Sequence, residues 1–376
     1  MAEASRVAPA LPFWLSLTYL PVVGLSATWG DAWILLIPAY AFIVFPLLDA
    51  LLGGNPENPP EGNADADLFW HSLVTWVWAP IQFAVIWGTL WWIFREDGLD
   101  LHHGLFLMLA TGVVSGSIGV VYAHELIHRK NIWERRLGEW LMVSVLYGHF
   151  VTEHIAVHHR FVGTPRDAVT ARYNESFYRF FLRVVPGQFL SAWSVEAMRM
   201  RKRGLPVLGR RNPFWRYMIG AFVMCVIAFA IGGWACVGLY VAHAFVAVLA
   251  LEQVNYIEHY GLVRKYEGNG KYEYVKPHHS WNSDHIATNS LMINLQRHAD
   301  HHVAPDRRYP LLRTYSGMEA PPLPFGYPIM VVMAMTPNVW RRVMNPRVRR
   351  WRSLHYPEIL DWSAYNEGRT PMPAGA

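Results

Sequence analysis

Histidine is unusually frequent in this chain, and many of its histidines stand at short, regular intervals. The sequence has 18 His in 376 residues, and three groups of them occupy positions 124–128, 154–159 and 298–302. Side chains three or four residues apart lie on one face of an α-helix, so the imidazoles of each group can reach the same bound ion. Imidazole binds Fe, Cu, Zn and Ni, so the ligand type alone does not select the metal. These intervals predict a metal centre.

The groups differ in how many imidazoles they offer. The first has His at positions i and i+4. In the second, His154 and His158 are expected to share a face, with His159 turned by roughly 100° around the helix toward a neighbouring ion. A single histidine, His259, stands within 255–261. The nine candidate ligands are His124, His128, His154, His158, His159, His259, His298, His301 and His302. They exceed what one tetrahedral zinc ion binds, so we expect at least two metal ions.

A carboxylate stands beside a histidine in each group. The four are Glu125, Glu153, Glu258 and Asp300. A metal-bound imidazole usually donates its second N–H to a carboxylate or a carbonyl, which fixes its tautomer and orients the ring. Such anions would also offset the charge of two divalent ions. We interpret the four as candidates for this support, with ordinary surface ion pairs as the alternative.

Other chemistry fits the histidines less well. Residues 124–128 alone match the HExxH motif of zinc peptidases, with Glu125 as the general base, but this alternative leaves the other seven candidates unused. A metal transporter is disfavoured because the apolar segments carry almost no charge and the histidines gather at their ends. His278, His279 and His285 follow a charged, glycine-containing stretch that is typical of a surface loop. We assign these three a structural or donor-facing role. No catalytic residue is predicted beyond the metal ligands.

The elements that must position the histidines are long apolar helices. Hydrophobic residues make up 53% of the chain and charged residues 16%, against roughly 25% charged in soluble domains. This composition excludes a disordered chain and disfavours an ordinary soluble protein. Six segments are near the ~20 residues that cross a bilayer. They are 12–29, 32–52, 70–94, 104–124, 215–234 and 236–257. The predicted fold class is an all-α integral membrane protein with six transmembrane helices.

Basic residues predict the orientation of these spans. Of the 33 Lys and Arg, 15 lie in 125–213 and 15 in 258–376. Basic segments remain on the cytoplasmic side, so we expect both segments, the histidines and both termini there. The protein is then one multi-pass domain, 1–376, in a bacterial-type inner membrane. Short turns at 28–31 and 232–233 predict two helical hairpins.

The chain resembles the membrane-bound di-iron alkane 1-monooxygenases, within the wider superfamily of membrane desaturases and hydroxylases. The resemblance rests on the histidine groups together with NYIEHYG at 255–261, KPHHSWNS at 276–283, LQRHADHH at 295–302 and PLLD at 46–49. It covers about 30–345 of the chain. It implies six spans, two iron ions and hydroxylation of a terminal methyl group by O2. It also implies ligand roles for the nine candidate histidines.

Two positions depart from the pattern of this family and leave the substrate open. Arg129 follows the first group where lysine is frequent, and Val157 stands where glycine is frequent. Medium-chain n-alkanes entering from the bilayer are the expected substrate. Methyl groups of alkyl-aromatic compounds, as in the xylene monooxygenases, and lipids, as in desaturases and lipid hydroxylases, are the alternatives.

The electron donor is expected to be a separate protein. Cys225 and Cys236 are the only two cysteines of the chain, and a rubredoxin-type iron site needs four thiolates. The resemblance implies rubredoxin, served by its reductase. Clustered basic residues suit either an acidic donor or anionic lipid headgroups. They are Arg199, Arg201, Lys202, Arg203, Arg210 and Arg211, followed by Arg341, Arg342, Arg347, Arg349 and Arg350.

Overall fold

Helices make up most of the protein. The computed structural model describes residues 7–59, 68–315 and 317–368. The helices are α1 (Leu11–Trp29), α2 (Asp31–Leu52), α3 (Phe69–Phe94), α4 (Leu101–Ile127), α5 (Ile132–Ser144), α6 (150–161), α7 (Phe177–Lys202), α8 (Phe214–His259), α9 (Ile286–Leu291), α10 (His298–Val303), α11 (Tyr327–Ala334), α12 (Pro337–His355) and α13 (Ser363–Asn366). A small antiparallel hairpin pairs β1 (Tyr266–Gly268) with β2 (Lys271–Tyr272). The chain ends lie outside the described residues, so the predicted side of the termini stays a prediction.

Within the described residues, five helices are long and apolar enough to cross a membrane: α1, α2, α3, α4 and α8. Their bounds agree with the predicted segments to within a few residues, apart from the last two, which α8 joins. The helical class and the presence of several membrane-type helices are therefore confirmed. The number of crossings stays a prediction.

Helix α8 reverses direction at the predicted turn. Gly232 and Gly233 have non-helical backbone angles, and Gly233 has a φ of +62°, which favours glycine. Gly220 packs so closely on Val143 that a β-carbon there would lie 2.7 Å from its side chain. The hydroxyl of Tyr240 donates to the Ser144 carbonyl over 2.8 Å. Residues 220 and 240 would be about 30 Å apart in a straight helix, so the two halves run back along each other.

A π-helical turn interrupts α4 just before its histidines. It spans Ser115–Gly119, and Gly119 faces Gln82 of α3. A β-carbon at this glycine would overlap the Gln82 Oε1 atom at 1.5 Å. The Gln82 side chain accepts from Trp78 Nε1 over 3.2 Å and donates to Ser144 Oγ over 2.7 Å. This buried contact joins α3, α4 and α5, and so fixes the rotation of the α4 turn that carries His124.

The short elements pack around the ends of α4 and α8. Val348 of α12 lies against Gly261, immediately after α8, and a β-carbon there would lie 2.9 Å from its side chain. Arg352 donates through Nη2 to the Gly261 carbonyl over 2.9 Å. The ring of Trp340 packs on Tyr260 with centroids 5.2 Å apart. Helix α12 is therefore fastened to the segment that follows His259.

Candidate metal centre

The nine candidate histidines converge into two adjacent groups. Within each group, all ligand nitrogens lie within 4.8 Å of one another. Group one contains His124, His128, His154, His159 and His301. Group two contains His158, His259, His298 and His302. Each doubled histidine is divided between the groups, so α6 and α10 both contribute to two neighbouring sites.

The distances between ring nitrogens match ligands of a single ion. The Nε2 atoms of His154 and His128 are 3.0 Å apart, as are those of His154 and His159. In group two, His298 Nε2 lies 3.2 Å from His259 Nε2. Nitrogens about 2.1 Å from a metal are about 3.0 Å apart at right angles and about 3.4 Å apart at tetrahedral angles. The short separations fit an ion with five or six ligands better than tetrahedral zinc.

Burial leaves several of these nitrogens without partners. His124 Nε2 and His158 Nε2 are both buried and have no hydrogen-bond partner in the described part of the chain. A buried polar atom without a partner costs about 1–3 kcal/mol. Metal ions bound among the converging Nε2 atoms would satisfy both of these Nε2 atoms. The residues present therefore fit a two-metal site.

The environment keeps the imidazoles neutral. Burial, followed by repulsion from neighbouring imidazoles, lowers the pKa of His154, His301 and His302 well below the usual value. A lowered histidine pKa means that the ring stays unprotonated at neutral and mildly acidic pH. Only the neutral ring binds a metal, so the site is held in its binding form before any ion arrives.

A second π-helical turn, in α6, makes the pairing of its histidines differ from the expected one. It spans His154–His158, and hydrogen bonds in a π turn join residues five apart rather than four. His154 therefore lies on the same face as His159, and their Nε2 atoms are 3.0 Å apart. His158 turns to group two. The expectation that His154 and His158 share a face was wrong because it assumed a regular α-helix.

Two of the four neighbouring carboxylates anchor backbone and arginine rather than histidine. Glu125 accepts from the Tyr309 N–H over 3.4 Å, and its Oε1 lies 3.6 Å from Arg129 Nε. Asp300 is fully buried and accepts from Arg307 and from the Tyr315 hydroxyl. Both hold the segment after α10 against the site.

The other two carboxylates lie nearer the ligands. Glu258 accepts from the Tyr327 hydroxyl over 2.7 Å, and its second oxygen lies 3.2 Å from His298 Nε2. Glu153 is fully buried, and neither of its oxygens has a hydrogen-bond partner among the described residues. Burial, then repulsion from Asp167 and Glu252, raises the pKa of Glu153 well above its usual value.

The carboxylate that supports a ligand ring is Asp167, which sequence reasoning missed. Its Oδ2 lies 3.1 Å from His158 Nδ1 and accepts from Thr170 Oγ1 over 2.7 Å. Its Oδ1 accepts from the Val169 N–H over 3.0 Å, forming an Asx turn. This turn-forming pattern is the one local sequence feature that points to Asp167. Because Asp167 follows His158 by nine residues in an irregular segment, no helical spacing indicates it.

A small apolar cavity borders both histidine groups. His124 and His154 of group one and His298 of group two line it. The rest of its lining is mostly apolar, with two polar exceptions. These lining residues are Gly116, Val120, Val121, Phe150, Leu251, Val254, Asn255, Glu258 and Leu295. The cavity lies along the ends of α4 and α8, where the long helices meet the histidines.

Another cluster, formed by Glu273, His278 and His279, is hydrogen-bonded around one tyrosine. The Tyr356 hydroxyl bonds to His279 Nε2 over 2.7 Å, to His278 Nε2 over 3.1 Å, and to Glu273. Lys276 Nζ donates to the second Glu273 oxygen over 2.7 Å. Although the Glu273, His278 and His279 ligand atoms also lie within 4.8 Å, these contacts favour the structural role assigned from the sequence.

Comparison with known proteins places the chain among membrane oxygenases. A model of the fatty acid desaturase family matches residues 101–333. Alkane 1-monooxygenase 2 of Pseudomonas aeruginosa is 36% identical over 359 residues, covering 93% of this chain and 94% of that protein. Alkane 1-monooxygenase 1 of the same organism is 40% identical, covering 85% and 84%. The xylene/toluene monooxygenase hydroxylase component of Pseudomonas putida is 24% identical, covering 86% and 85%. The family match includes every candidate ligand.

Proposed function

Because the chain belongs to the alkane 1-monooxygenases, within the fatty acid desaturase family, we propose that it hydroxylates the terminal carbon of medium-chain n-alkanes. The balanced reaction is R–CH3 + O2 + 2 e⁻ + 2 H⁺ → R–CH2OH + H2O. Two iron ions would be held by the nine histidines, five around one and four around the other. When bound, iron supplies the oxidising power that an unactivated C–H bond requires and that no amino-acid side chain has.

The observation that carries this proposal is the cavity shared by the two groups. A saturated hydrocarbon offers nothing to hydrogen-bond, so only apolar walls bind it and exclude water. Val120, Phe150 and Leu251 provide such walls beside His124 and His298. The cavity has a volume of only about 20 Å³, so it would take the terminal methyl group of an alkane, against ligands of both ions, while the rest of the chain would lie outside it. A terminal carbon is the part of a chain that reaches a closed end first, which accounts for a primary alcohol as product.

Residues around the ligands hold the site in shape. Asp167 bonds to the ring of His158 through Nδ1 and so leaves Nε2 free to bind an ion. The Tyr327 hydroxyl holds Glu258 beside His298. Glu258 and Asn255 are the polar residues among the cavity lining that are not histidine. They would contact the reacting end of the substrate rather than its tail.

The topology that suits this function has six crossings. Helices α1 to α4 and the two halves of α8 would span a bacterial-type inner membrane, with the histidines at the cytoplasmic side and both termini cytoplasmic. Support comes from the apolar character of the five long helices and from the reversal at Gly232–Gly233. Alkanes partition into the bilayer and would enter between the helices, while the soluble donor would approach from the cytoplasm.

The alternatives fit less well. The aromatic-methyl relative is 24% identical, against 36% and 40% for the two alkane 1-monooxygenases, so alkanes are preferred over alkyl-aromatic substrates. A lipid desaturase or lipid hydroxylase would use the same histidines, so product analysis distinguishes it from an alkane hydroxylase. A zinc peptidase is disfavoured by the number of converging ligands and by their separations near 3.0 Å.

The donor would be rubredoxin acting in trans. The chain has only Cys225 and Cys236, and both are free thiols within α8. They do not provide the four thiolates of a rubredoxin site. Each turnover needs two electrons, so two reduced rubredoxin molecules would bind in succession, each giving up one electron.

An iron count combined with product analysis tests the proposal. The purified protein is expected to hold about two irons per chain, one for each histidine group. With rubredoxin, its reductase and O2, n-alkanes of increasing length should yield 1-alcohols. The variant His285→Gln serves as a control and should keep the wild-type iron content, because His285 bonds to Ser283 and belongs to neither group. One iron per chain, zinc in place of iron, or turnover of lipids alone would contradict the proposal.

A further inference from the structure

A second, larger cavity opens beside α12. It has a volume of about 500 Å³. Two tryptophans form its floor, Trp281 and Trp351, and two arginines stand at its rim, Arg347 and Arg350. The other lining residues are Gly317, Met318, Pro322, Ser353 and Leu354. No carboxylate lines it in the part of the chain that the structure describes.

Trp281 connects this cavity to a metal ligand by two hydrogen bonds. Its backbone N–H donates to the Glu258 carbonyl over 2.9 Å, and its indole N–H donates to the Tyr260 carbonyl over 2.9 Å. Glu258 and Tyr260 are the residues on either side of His259. The Trp281 side chain is fully buried, lines the cavity and bonds to the segment that carries His259.

The rim is rigidly attached to the same segment. Helix α12 carries both arginines, and its Val348 and Arg352 contact Gly261. The buried face of α12 fixes the distance between the rim and His259. A partner that docks on this rim is therefore held at a constant distance from the metal centre, which rapid electron transfer needs.

The rim has the charge and the apolar surface that a small acidic protein would recognise. Arg347 and Arg350 are exposed, and neither forms an ion pair within the described ranges. Met318 and Leu354 are exposed beside them, 70% and 46% respectively. An apolar centre with a charged rim is typical of transient protein interfaces, in which complementary charge raises the association rate.

The other basic cluster lacks these features. Arg199 is paired with Glu196, and Arg201 and Arg203 lie at the exposed end of α7. Glu196 in turn accepts from Thr152 Oγ1 of α6 over 3.2 Å, so this cluster also adjoins a segment with candidate ligands. None of its side chains lines the α12 cavity, and the two clusters, equal candidates in the sequence, are distinguished by that cavity.

We infer that the α12 cavity is the docking site of the electron donor and that Trp281 is the residue through which electrons reach the His259 side of the metal centre. This inference rests on the proposed function. Each docking event passes one electron from a reduced one-electron iron protein, which becomes oxidised and leaves. Two events supply the pair that one hydroxylation consumes, and the two protons come from water.

Donor binding is the direct test, because it does not depend on hydroxylation. Oxidised rubredoxin is titrated against the full-length protein in detergent, with and without iron, at low and high salt. Arg347→Glu with Arg350→Glu should weaken binding by about tenfold or more and remove most of its salt dependence. The matched control, Arg201→Glu with Arg203→Glu, should change binding less than about twofold. Unchanged binding in the α12 double variant would overturn the docking site.

A second variant tests the route. Trp281→Phe keeps an aromatic ring but loses the indole N–H bond to Tyr260. Iron content should stay at the wild-type value, while donor reoxidation at saturating donor concentration in a rapid-mixing experiment should slow by about tenfold. Unchanged reoxidation would overturn the role of Trp281.

If instead the α12 double variant loses binding to anionic vesicles but not to rubredoxin, the rim binds lipid headgroups. Failure of the proposed function appears separately, as wild-type protein that binds the donor yet hydroxylates no alkane.

Discussion

Two histidine-rich regions of this protein look alike by distance and differ in hydrogen bonding. In the metal centre and in the Glu273–His279 cluster, the ligand atoms lie within 4.8 Å of one another. In the cluster, the Tyr356 hydroxyl occupies the centre and bonds to both histidines. In the metal centre, His124 Nε2 and His158 Nε2 have no partner among the described residues. Proximity of ligand atoms is therefore a weak sign of a metal site, and unsatisfied buried nitrogens are a stronger one.

The charges of the two regions support the same distinction. Burial opposes ionisation of Glu273, but hydrogen bonds from His279, Lys276 and Tyr356 outweigh it and hold the pKa of this carboxyl well below its usual value. The cluster thus has its own anion and its own cation, Lys276. The metal centre has mainly neutral rings and no lysine or arginine in direct contact with the converging Nε2 atoms among the described contacts. A bound cation is needed only there.

The largest expected effect comes from removing one histidine from each region in a pair of single variants. His259→Ala removes a converging nitrogen and should lower bound iron by at least half and alkane hydroxylation by roughly 100-fold or more. His279→Ala should keep about the wild-type iron content. Elemental analysis and gas chromatography of the alcohol product provide the two measurements. If His279→Ala empties the site while His259→Ala does not, the comparison between the regions is reversed.

The second largest effect concerns the carboxylate that bonds to the imidazole of His158. Asp167→Asn keeps the shape of the side chain and removes its charge, so His158 loses its anionic partner. Apparent iron affinity, measured by competition with a chelator, should fall about 10- to 100-fold. Glu273→Gln, the equivalent change in the other cluster, should leave iron affinity at the wild-type value. Equal losses in the two variants would show that the effect is general destabilisation.

The third effect is on stability alone. Tyr356→Phe removes the central hydroxyl, so His278 Nε2 loses its partner, while His279 and Glu273 stay bonded to each other over 3.3 Å. The free energy of unfolding should fall by about 1–3 kcal/mol, seen as a lower melting temperature in detergent, with iron content unchanged. Tyr178→Phe, which removes an exposed hydroxyl that donates to the Met335 carbonyl, should cost much less. Loss of iron in Tyr356→Phe would contradict the structural role.

The smallest effect concerns pH. Burial, then repulsion from the rings of His279 and His355, lowers the pKa of His278 to about 3. Because this value is below that of the unfolded chain, stability is full above about pH 6.5 and declines as the pH falls toward 3. Between about pH 7.5 and pH 5.5, wild-type protein should lose up to ~1 kcal/mol more stability than His278→Gln, since His278 is only partly buried. Melting curves of the iron-loaded proteins measure this difference. Parallel pH dependence of the two proteins would contradict the lowered pKa.

Local sequence features determined much of the architecture. Hydropathy and segment length located the apolar helices to within a few residues, because a bilayer requires continuous apolar segments. Paired glycines located the reversal at Gly232–Gly233, since only glycine adopts the positive φ of Gly233 without strain. Short intervals between histidines identified eight of the nine side chains that converge, all except the isolated His259. These properties are set by neighbours along the chain, so they are visible without a fold.

Tertiary structure decided how those side chains are divided and supported. The π turn at His154–His158 pairs His154 with His159, and the sequence pattern does not indicate where a helix gains an extra residue. The carboxylate behind His158 is Asp167, brought there by an irregular segment. The cavity at Trp281 distinguishes one basic cluster from another only because α12 folds back onto Gly261. Each of these contacts joins residues through packing of elements whose relative positions depend on the whole fold, so no local spacing specifies them.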